Sequence, residues 1–351
     1  MVNSSSKNTV SSQKYRIAIV GGSGLVGKEL IEILKERKFP IESCRIFGSE
    51  NSRGEKVSLL EHEIIIEELS DNSFDDAHIV FFATSEAMSK QYIPLAVSKG
   101  AICIDKSSAY RLDEAVPLIV PEVNIQTLIK AKTNKIISVP NCTTTPIAQI
   151  LAPLDKLFEI KRVVVCTYQA VSGAGRDGFK ELETQVRDLL NFREIQSDIF
   201  KQRIAFNVLP AIPTDDIHVH SGATSEERKI VDELPKILGK KMRISATCAR
   251  VPVFNGHSAA LHIEFNNAVS LEDAKNALRK TKNVELIDRD HHFGLPTVEH
   301  ANGKDITLVG RVRLDESVDH GLVLWLACDN LRTGAALTAV RIAEQLPGVL
   351  L

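Results

Sequence analysis

A short apolar segment that ends in a cluster of glycines constrains the fold of this chain most. Tyr15–Val20 is apolar and rich in β-branched residues, and it leads directly into a turn in which Gly22, Gly24 and Gly27 follow the spacing G-x-G-x-x-G. Apolar residues at helical spacing come next. Glycine suits this turn because the backbone must bend sharply and approach a pyrophosphate at the N-terminus of the following helix. Strand, glycine turn and helix in this order predict a dinucleotide-binding βαβ unit.

Short apolar segments continue to alternate with helical periodicity up to about residue 140. The pattern predicts strands at 44–47, 63–66, 79–83 and 101–104, and a helix at 85–98. Strands that alternate with helices are typical of a parallel sheet with helices on both faces. We therefore predict an α/β fold whose N-terminal domain, residues 15–140, is a Rossmann-type doubly wound parallel sheet.

The second half of the chain has a different pattern. It predicts strands at 161–169, 248–252, 259–265, 306–314 and 321–327, with helices at 178–190, 225–238 and 271–280. This arrangement favours an α+β domain over residues 141–330 rather than a second βαβ repeat. An amphipathic helix at 331–345 is expected to return to the first domain, so that residues 331–351 complete it.

Composition and charge argue against several classes of protein. The formal net charge of −2 and the pI near 6.6 give no basic footprint for nucleic acid or an anionic membrane. No apolar run reaches the roughly 18–20 residues that span a bilayer. The six cysteines are scattered without a CxxC pair, as is usual for reduced cytosolic thiols. Residues 1–14 are polar and Ser-rich, which indicates a disordered lead-in rather than a secretory signal. We expect a cytoplasmic protein.

The loop after the second predicted strand bears on the choice of cofactor. Enzymes that bind NAD usually place Asp or Glu there, to accept a hydrogen bond from the ribose 2′-hydroxyl. Here Ser49, Ser52 and Arg53 could hold a 2′-phosphate, whereas Glu50 would repel one if it pointed inward. The alternative is a solvated loop. The pattern favours NADP.

Two further segments carry candidate catalytic residues. Cys142 comes just before an apolar helical pattern at 147–157, where a helix N-terminus would stabilise its thiolate and lower its pKa. A small buried residue in a loop fits this local context equally well. Arg250 and His257 lie in and just beyond a predicted strand, with Gly256 freeing the backbone beside the histidine. Cys and His form a recurrent nucleophile–base pair, and Arg can clamp a carboxylate, although such residues in a β region are more often structural.

Taken together, these segments resemble the aspartate-semialdehyde dehydrogenases. The stretch 244–258 is similar to that family's signature position for position. Other similar segments occur in the same order at 21–27, 107–111 (SSAYR), 116–124 (VPLIVPEVN), 140–144 (PNCTT), 167–175 (TYQAVSGAG) and 329–336 (DNLRTGAA). The resemblance runs from about residue 15 to the C-terminus. It implies that the second domain is a glyceraldehyde-phosphate-dehydrogenase-like catalytic and dimerisation domain. It also implies a homodimer or homotetramer. The helical insert around 178–200 and the broad predicted sheet of the second domain indicate where a subunit interface would lie.

The resemblance also implies a role for each residue of the site. Cys142 is the nucleophile, His257 the acid/base, and Gln169 orients the substrate. The substrate-binding residues are Arg250 for the carboxylate, Glu226 for the amine, and Arg111, Asn141 and Lys229 for the phosphate. The cofactor-binding residues are Gly21, Gly22, Ser23, Gly24, Leu25, Val26, Gly27, Ser49, Ser52, Arg53, Ser172, Gly173 and Asn330. No metal site is implied.

The implied reaction is the NADPH-dependent reduction of L-aspartyl 4-phosphate to L-aspartate 4-semialdehyde, with release of phosphate, through a thioester on Cys142. The sequence departs from the family at two places. Lys106 stands where the family commonly has Asn before the Ser-Ser pair. Asn51 takes the place of a common Arg, with Arg53 two positions later, which leaves the preference for NADP open.

Other interpretations fit the sequence less well. An N-acetyl-glutamyl-phosphate reductase usually has Gly-Cys-Tyr-Pro around the nucleophile, where this chain has Asn-Cys-Thr-Thr at 141–144, and it would not need Glu226. A glyceraldehyde-type dehydrogenase fits less well still. A non-catalytic NADP-binding sensor would have no use for the full set of site residues. A zinc site has four candidate ligands but no matching cysteine pair, so solvated histidines are expected at His218, His220, His291 and His292.

Overall fold

The computed structural model describes residues 13–59, 62–216, 222–288, 292 and 294–351. Residues 1–12 of the predicted lead-in lie outside this part of the chain. The strands are β1 Tyr15–Val20, β2 Ile41–Gly48, β3 Lys56–Leu59, β4 His62–Glu68, β5 Ile79–Phe82, β6 Ile102–Asp105, β7 Ile136–Ser138, β8 Ile160–Gln169, β9 Arg243–Arg250, β10 His257–Phe265, β11 Val284–Ile287, β12 Thr307–Leu314 and β13 Gly321–Cys328.

Most of the helices are longer than two turns, and a few are single turns. The α-helices are α1 Leu25–Glu36, α2 Glu86–Ser98, α3 Pro121–Asn124, α4 Ala131–Asn134, α5 Thr144–Phe158, α6 Gly175–Leu190, α7 Ser225–Leu238, α8 Leu271–Lys280, α9 Val298–Ala301 and α10 Leu337–Ala343. Short 3₁₀ turns lie at Glu50–Ser52, Ile125–Lys130 and Val171–Ala174, and a π-helical segment lies at Arg332–Ala336.

The first sheet has seven strands in the order β3-β4-β2-β1-β5-β6-β7. All of its described pairs are parallel except β3 with β4, which are antiparallel. Successive side chains of a strand point to opposite faces. Ile17 and Ile19 therefore join a core with α1 and α10, while Ala18 and Val20 join a core with α2 on the other face. This is the predicted doubly wound sheet, with one antiparallel edge strand.

The second sheet has six strands in the order β11-β12-β13-β10-β8-β9. Its centre is antiparallel, and only the outer pairs β8 with β9 and β11 with β12 are parallel. Helices α5, α7 and α8 pack on one face around a core that includes Ile150, Leu234 and Leu278. A mixed sheet with helices on one face is the α+β arrangement predicted for the second half.

The last helical segment differs from its prediction. It begins as a π-helical turn, and every residue of α10 is buried rather than one face only. The predicted amphipathic pattern is therefore wrong. The segment packs against α1 and β6 of the first sheet, and its neighbour α5 covers the second sheet, so it has no face left for solvent.

Membrane insertion finds no support in these helices. Within the described ranges, none is both long and apolar enough to cross a bilayer.

Candidate active site

Three of the predicted site residues are brought side by side by strand pairing in the second sheet. Gln169 ends β8, Arg250 ends β9 and His257 begins β10. In the ladder Gln169 lies opposite Arg250 on one side and opposite His257 on the other. All three side chains are buried. The sheet register thus gathers residues that are up to 88 positions apart (257 − 169) at one end of the sheet.

Cys142 reaches the same place from the first sheet. It follows β7 by four residues (142 − 138) and precedes the first turn of α5. The π-helical segment lies directly against it, because a Cβ added to Gly334 would come within 2.8 Å of both Cβ and the carbonyl oxygen of Cys142. Cys142 therefore lies between the two sheets, and its backbone is held by a glycine that the site assignment from sequence did not include.

A cavity of about 210 Å³ collects most of the predicted catalytic and substrate-binding residues. Its walls are formed by Thr84, Glu86, Lys106, Ser107, Ser108, Arg111, Asn141, Cys142, Gly173, Glu226, Lys229, Arg250 and His257. An adjoining cavity shares Glu226 and Arg250 but is closed by apolar side chains such as Phe200 and Ile212. A charged compartment beside the thiol therefore adjoins a second one that is lined in part by apolar side chains.

The carboxylate of Glu226 is the hub of the hydrogen bonds in this cavity. Its Oε1 accepts from Asn141 Nδ2 at 3.0 Å and from Gln169 Nε2 at 3.1 Å, and its Oε2 pairs with Lys229 at 3.0 Å. Burial acts to raise the pKa of Glu226, but Lys229 and these donors outweigh it and hold the pKa at about 2. Glu226 is therefore a carboxylate at neutral pH, as contact with a substrate amine requires.

Helix α7 carries this carboxylate in its first turn, and two sets of hydrogen bonds fix the start of the helix. Thr224 and Glu227 form a reciprocal capping box at the N-terminus. The Oε1 of Glu227 also accepts the backbone N–H of Cys248 in β9 at 3.0 Å. Residues three, four and seven positions apart share a helix face, so Glu226, Lys229 and Glu233 all face the cavity side.

The pKa of the Cys142 thiol is raised, whereas the sequence predicted that it is lowered. Burial raises its pKa, and the Glu226 carboxylate adds to the effect, while Lys106, Arg111 and Arg250 act in the opposite direction. The expected lowering of this pKa is therefore not found in the free site. Desolvation of this half-buried thiol and the nearby carboxylate outweigh a helix N-terminus that begins two residues later, at Thr144.

His257 is held as a neutral ring with a defined tautomer. Burial, aided by Arg250, lowers its pKa from 6.5 to about 3. The backbone N–H of Ala170 donates to Nδ1 at 3.1 Å, so the proton of the neutral ring lies on Nε2. Nε2 is buried and has no hydrogen-bond partner within the described chain. It can thus donate to a group that enters the cavity.

Arg111 and Asn141, both predicted to bind phosphate, already have protein partners. The Arg111 guanidinium donates to the carbonyls of Val139 and Lys106 and pairs with Glu233 at 2.9 Å. The second oxygen of Glu233 accepts the backbone N–H of Asn141 at 2.7 Å. Glu233 was missed in the sequence, although its spacing of seven from Glu226 on one helix places both on the same face.

The glycine turn has the shape that a dinucleotide requires. Gly21 has φ +86°, and a Cβ there would lie 2.3 Å from the carbonyl oxygen of Ala83. A Cβ on Gly27 would lie 2.1 Å from the carbonyl oxygen of Gly21, whereas one on Gly24 meets nothing closer than 3.4 Å. The turn is therefore tightly packed at Gly21 and Gly27 and more open at Gly24. Helix α1 begins directly afterwards, at Leu25, with Val26 in its first turn. Arg176 from α6 donates to the carbonyl oxygen of Ser23 across this opening, a contact that sequence reasoning missed.

The loop after β2 is partly committed to internal contacts. Ser52 is buried, and its hydroxyl donates to the carbonyl oxygen of Ser49 at 2.9 Å. Arg53 lies 3.4 Å from Glu68 and is exposed. Glu50 is exposed. Of the three residues predicted to hold a 2′-phosphate, Ser49 and Arg53 thus lie on the surface and Ser52 supports the loop from inside.

The remaining cofactor residues lie beside the catalytic cavity. The Ser172 hydroxyl lies 3.1 Å from Asn330 Oδ1, which also accepts the backbone N–H of Gly256 at 2.8 Å. A Cβ on Gly173 would come within 2.8 Å of Arg250 Nη1 and 3.5 Å of the His257 ring. This cluster therefore links Gly256, the residue before His257, with Ser172, the residue before the cavity-lining Gly173.

The zinc interpretation finds no support in the described residues. They contain no group of three or more His, Cys, Asp or Glu side chains that could hold a metal ion. Of the four histidines considered, His218, His220 and His291 lie outside the described residues.

Comparison with known proteins identifies the family of this chain. Residues 16–131 match the family model "Semialdehyde dehydrogenase, NAD binding domain", and residues 151–333 match "Semialdehyde dehydrogenase, dimerisation domain". Curated relatives include the aspartate-semialdehyde dehydrogenases of Rickettsia bellii and Aquifex aeolicus, 44% and 39% identical, each match covering 95% of this chain and 98% of the relative.

Solved structures give the same result. The crystal structure of aspartate semialdehyde dehydrogenase II from Vibrio cholerae has a TM-score of 0.91 at 38% identity and covers 95% of this chain and 98% of its own. A second structure of that enzyme, complexed with ASA, matches equally well. These matches confirm the predicted fold class, the assignment to the oxidoreductases and the use of a nicotinamide dinucleotide. The chain belongs to the aspartate-semialdehyde dehydrogenase family.

Proposed function

We propose that this chain catalyses the NADPH-dependent reductive dephosphorylation of L-aspartyl 4-phosphate to L-aspartate 4-semialdehyde, a step toward lysine, threonine and methionine. One observation carries the proposal: Cys142, His257, Glu226 and Arg250 line the same buried cavity of about 210 Å³. The names of the curated relatives support the same reaction.

The substrate is proposed to lie across the cavity with a partner for each charged group. Arg250 binds the carboxylate, and its guanidinium is oriented by the carbonyl oxygen of Ala170 at 2.8 Å. Glu226 binds the amine in exchange for part of its present hydrogen bonding. The phosphate is proposed to be bound by Lys229, Arg111 and Asn141. Gln169 orients the substrate through the contact that it already makes with Glu226.

The glycine turn is proposed to hold the pyrophosphate of the cofactor. A Cβ at Gly21, Gly22 or Gly27 would meet other atoms of the protein, which supports a tight glycine turn at the start of α1 with Gly24 as its least crowded position. The remaining contacts of the turn are Ser23, Gly24, Leu25 and Val26, with Ser172, Gly173 and Asn330 near the nicotinamide. When bound, the reduced cofactor supplies a hydride to the acyl carbon.

NADP is proposed over NAD because the end of β2 lacks the carboxylate that a ribose 2′-hydroxyl would need. That end is Gly48, and the space beside it is filled by Ser52. Ser49 and Arg53 are exposed nearby and are the proposed contacts of a 2′-phosphate.

The proposed chemistry begins with Cys142 attacking the acyl carbon, which expels phosphate and leaves a thioester. The backbone N–H groups on both sides are engaged, that of Asn141 with Glu233 and that of Thr143 with the Asn141 side chain. The N–H of Cys142 itself is then the proposed main-chain donor to the oxyanion. After hydride transfer, the resulting thiohemiacetal collapses to the semialdehyde and regenerates the thiol.

His257 is proposed as the acid/base of these steps. In the resting tautomer Nε2 carries the proton, so its first contribution is a hydrogen bond donated to the substrate oxygen. Taking the thiol proton at Nε2 requires the ring proton on Nδ1, which breaks the contact from the Ala170 N–H. Proton transfer from Cys142 therefore depends on a rearrangement that the bound substrate must favour.

We further propose a cytoplasmic homodimer or homotetramer. The match of residues 151–333 to a dimerisation domain supports this assembly. So do large apolar side chains exposed on or near α6, among them Phe179, Leu190 and Phe192, since such patches mark interaction surfaces. Tyr168 on the second sheet, which packs against the partly buried Trp325, adds a further exposed aromatic side chain.

The test of the proposal is phosphate-dependent reduction of NADP and NAD with L-aspartate 4-semialdehyde, run beside the Cys142→Ala variant. We expect turnover that requires phosphate, with NADP ahead of NAD, and no turnover in the variant although it still binds cofactor. Activity with N-acetylglutamate semialdehyde but not with L-aspartate 4-semialdehyde would mean that the proposed substrate is wrong. Retained turnover in Cys142→Ala would overturn the mechanism, and inactivity with both aldehydes would favour a cofactor sensor.

A further inference from the structure

The cavity beside Cys142 holds four cationic side chains, and only two of them are neutralised. Lys229 pairs with Glu226 at 3.0 Å, and Arg111 pairs with Glu233 at 2.9 Å. Within the described part of the chain, neither Arg250 nor Lys106 forms an ion pair. The proposed substrate has two anionic ends, the α-carboxylate and the phosphate. Two unpaired cations thus face a ligand with two anionic groups.

Lys106 is held firmly at the position from which it enters the cavity. It follows β6 directly, its backbone N–H donates to the carbonyl oxygen of Phe82, and its carbonyl oxygen accepts from Arg111. Its side chain is partly buried and lines the cavity together with Cys142. No hydrogen-bond acceptor of the described residues contacts its ammonium group. The main chain is therefore fixed while the ammonium is left without a protein partner.

Two other residues proposed on the phosphate side, Arg111 and Asn141, have less capacity to bind a phosphate. The Arg111 guanidinium already donates in three directions, and the Asn141 amide is engaged with Glu226 and Thr143. An ammonium is a compact charge with three rotatable donors, which suits a phosphate dianion that arrives and leaves in each turnover. Burial lowers the pKa of Lys106, and a nearby dianion would act in the opposite direction.

We infer that Lys106 is a phosphate-binding residue of this site, contacting the acyl-phosphate group of the substrate and the inorganic phosphate that is released. The inference rests on the proposed function for the identity of the substrate. It assigns the two unpaired cations to the two anionic ends, Arg250 to the carboxylate and Lys106 to the phosphate. Arg111 then contributes mainly by fixing the backbone around Lys106 and Asn141.

The experiment compares Lys106→Gln and Lys106→Arg with the wild type. The first removes the charge, and the second keeps it. Lys161→Gln is the matched control, because Lys161 lies at the opposite end of β8 from the site residue Gln169 and pairs with Glu264 on the surface. The Michaelis constants for phosphate, semialdehyde and NADP are measured in the oxidative direction. Protection of Cys142 from iodoacetamide by inorganic phosphate is followed by mass spectrometry.

We expect Lys106→Gln to raise the KM for phosphate by about tenfold or more, as for loss of one charge-assisted contact. The KM for semialdehyde should change little, phosphate protection of Cys142 should weaken in parallel, and Lys106→Arg should retain most of both. Wild-type phosphate KM and protection in Lys106→Gln would overturn the inference, as would a fall in kcat alone. If Lys106→Gln does not fold, Lys106→Met is judged by the same two readouts. A wild type without phosphate-dependent turnover refutes the proposed function instead, while the protection assay still tests Lys106.

Discussion

At the scale of single residues, neither the proposed nucleophile nor the proposed acid/base is charged before a substrate binds. Burial raises the pKa of the Cys142 thiol, and burial with Arg250 lowers that of His257 to about 3. Both groups are therefore neutral in the free site at neutral pH. By contrast, Glu226 is already ionised, because its pKa is held at about 2. Binding of a charged substrate is thus expected to precede activation of the thiol.

The tautomer of His257 leads to a prediction about what this residue must supply. Replacement by Gln keeps an N–H donor near the position of Nε2 but cannot accept a proton, whereas Ala provides neither. If donation to the substrate oxygen dominates, kcat should fall by about 10²–10³-fold in His257→Ala and by clearly less in His257→Gln. Steady-state kinetics of the two variants over a range of pH measure the difference.

Cofactor affinity serves as the control for this comparison, since neither change should alter it. Equal loss of kcat in both variants would contradict the donor role. That result would mean that the imidazole must accept the thiol proton despite its contact with the Ala170 N–H.

At the scale of elements, local sequence predicted the helices and strands whose own residues carry a clear pattern. Helix α7 has a capping box at Thr224 and apolar residues at helical spacing, and its predicted bounds agree with the structure. Strands β8 and β10 were found from their alternating or β-branched residues. The strand β9 begins five residues before its predicted start (248 − 243), because its exposed outer half reads as polar.

Other elements depend on partners that are distant in the sequence. The edge strand β3 and the strand β11 have four residues each, too few to show a period, and they are defined by pairing with β4 and β12. The π-helical segment at Arg332–Ala336 is likewise set by packing against Cys142. The sequence therefore showed the resemblance at 329–336 without indicating its shape, and it did not predict β3 or β11.

The close contact of that segment with Cys142 leads to a prediction for Gly334. An added methyl would meet Cβ, Cα and the carbonyl oxygen of Cys142 at 2.8–2.9 Å, so the backbone on one side must shift. We expect Gly334→Ala to reduce kcat by about tenfold or more, because small displacements of a nucleophile are costly. The rate of Cys142 alkylation, measured in parallel, should change as well.

The control is Gly239→Ala at the C-terminal end of α7. Gly239 has φ +68° and no atom within 4 Å of an added Cβ, so this change strains the backbone without touching the site. It should lower the temperature of unfolding but leave kcat and Cys142 alkylation near wild-type values. An unaltered alkylation rate in Gly334→Ala would show that the segment yields and that the contact does not place the thiol.

At the scale of the whole molecule, the division into a doubly wound half and an α+β half was predictable from the order of strands and helices. The return of the last helix to the first domain was also predicted, but the ion pairs that join the halves were not. Arg332 binds Glu29 on α1 at 2.7 Å and Asp305 before β12 at 2.8 Å, and it also pairs with Glu36. The site lies at this junction, with Cys142 contributed from one sheet and His257 from the other. The resemblance implied that the two act together, and the tertiary arrangement shows how they meet in one cavity.

The buried site also makes the stability of the folded chain depend on pH. The pKa of His257 is lowered from 6.5 to about 3, and that of Glu226 from 4.5 to about 2. In both cases the unfolded chain binds protons that the folded chain excludes, so stability is present above the ordinary pKa and is lost as pH falls toward the lowered one. His257 acts first, from about pH 6.5 downward, and Glu226 adds its effect below about pH 4.5.

We therefore expect His257→Gln to lose less unfolding free energy than the wild type between about pH 7 and pH 5, where Glu226 contributes little. Urea unfolding at a fixed protein concentration measures this, since assembly would otherwise shift the midpoint. His262→Gln is the control: that side chain is 47% exposed beside Asp315, so its removal should leave the slope close to that of the wild type. Equal pH dependence in the wild type and His257→Gln would mean that the imidazole can be protonated in the folded cavity. In that case the ring could serve as an acid from the start of the reaction, and the donor-only resting state argued from Ala170 would be wrong.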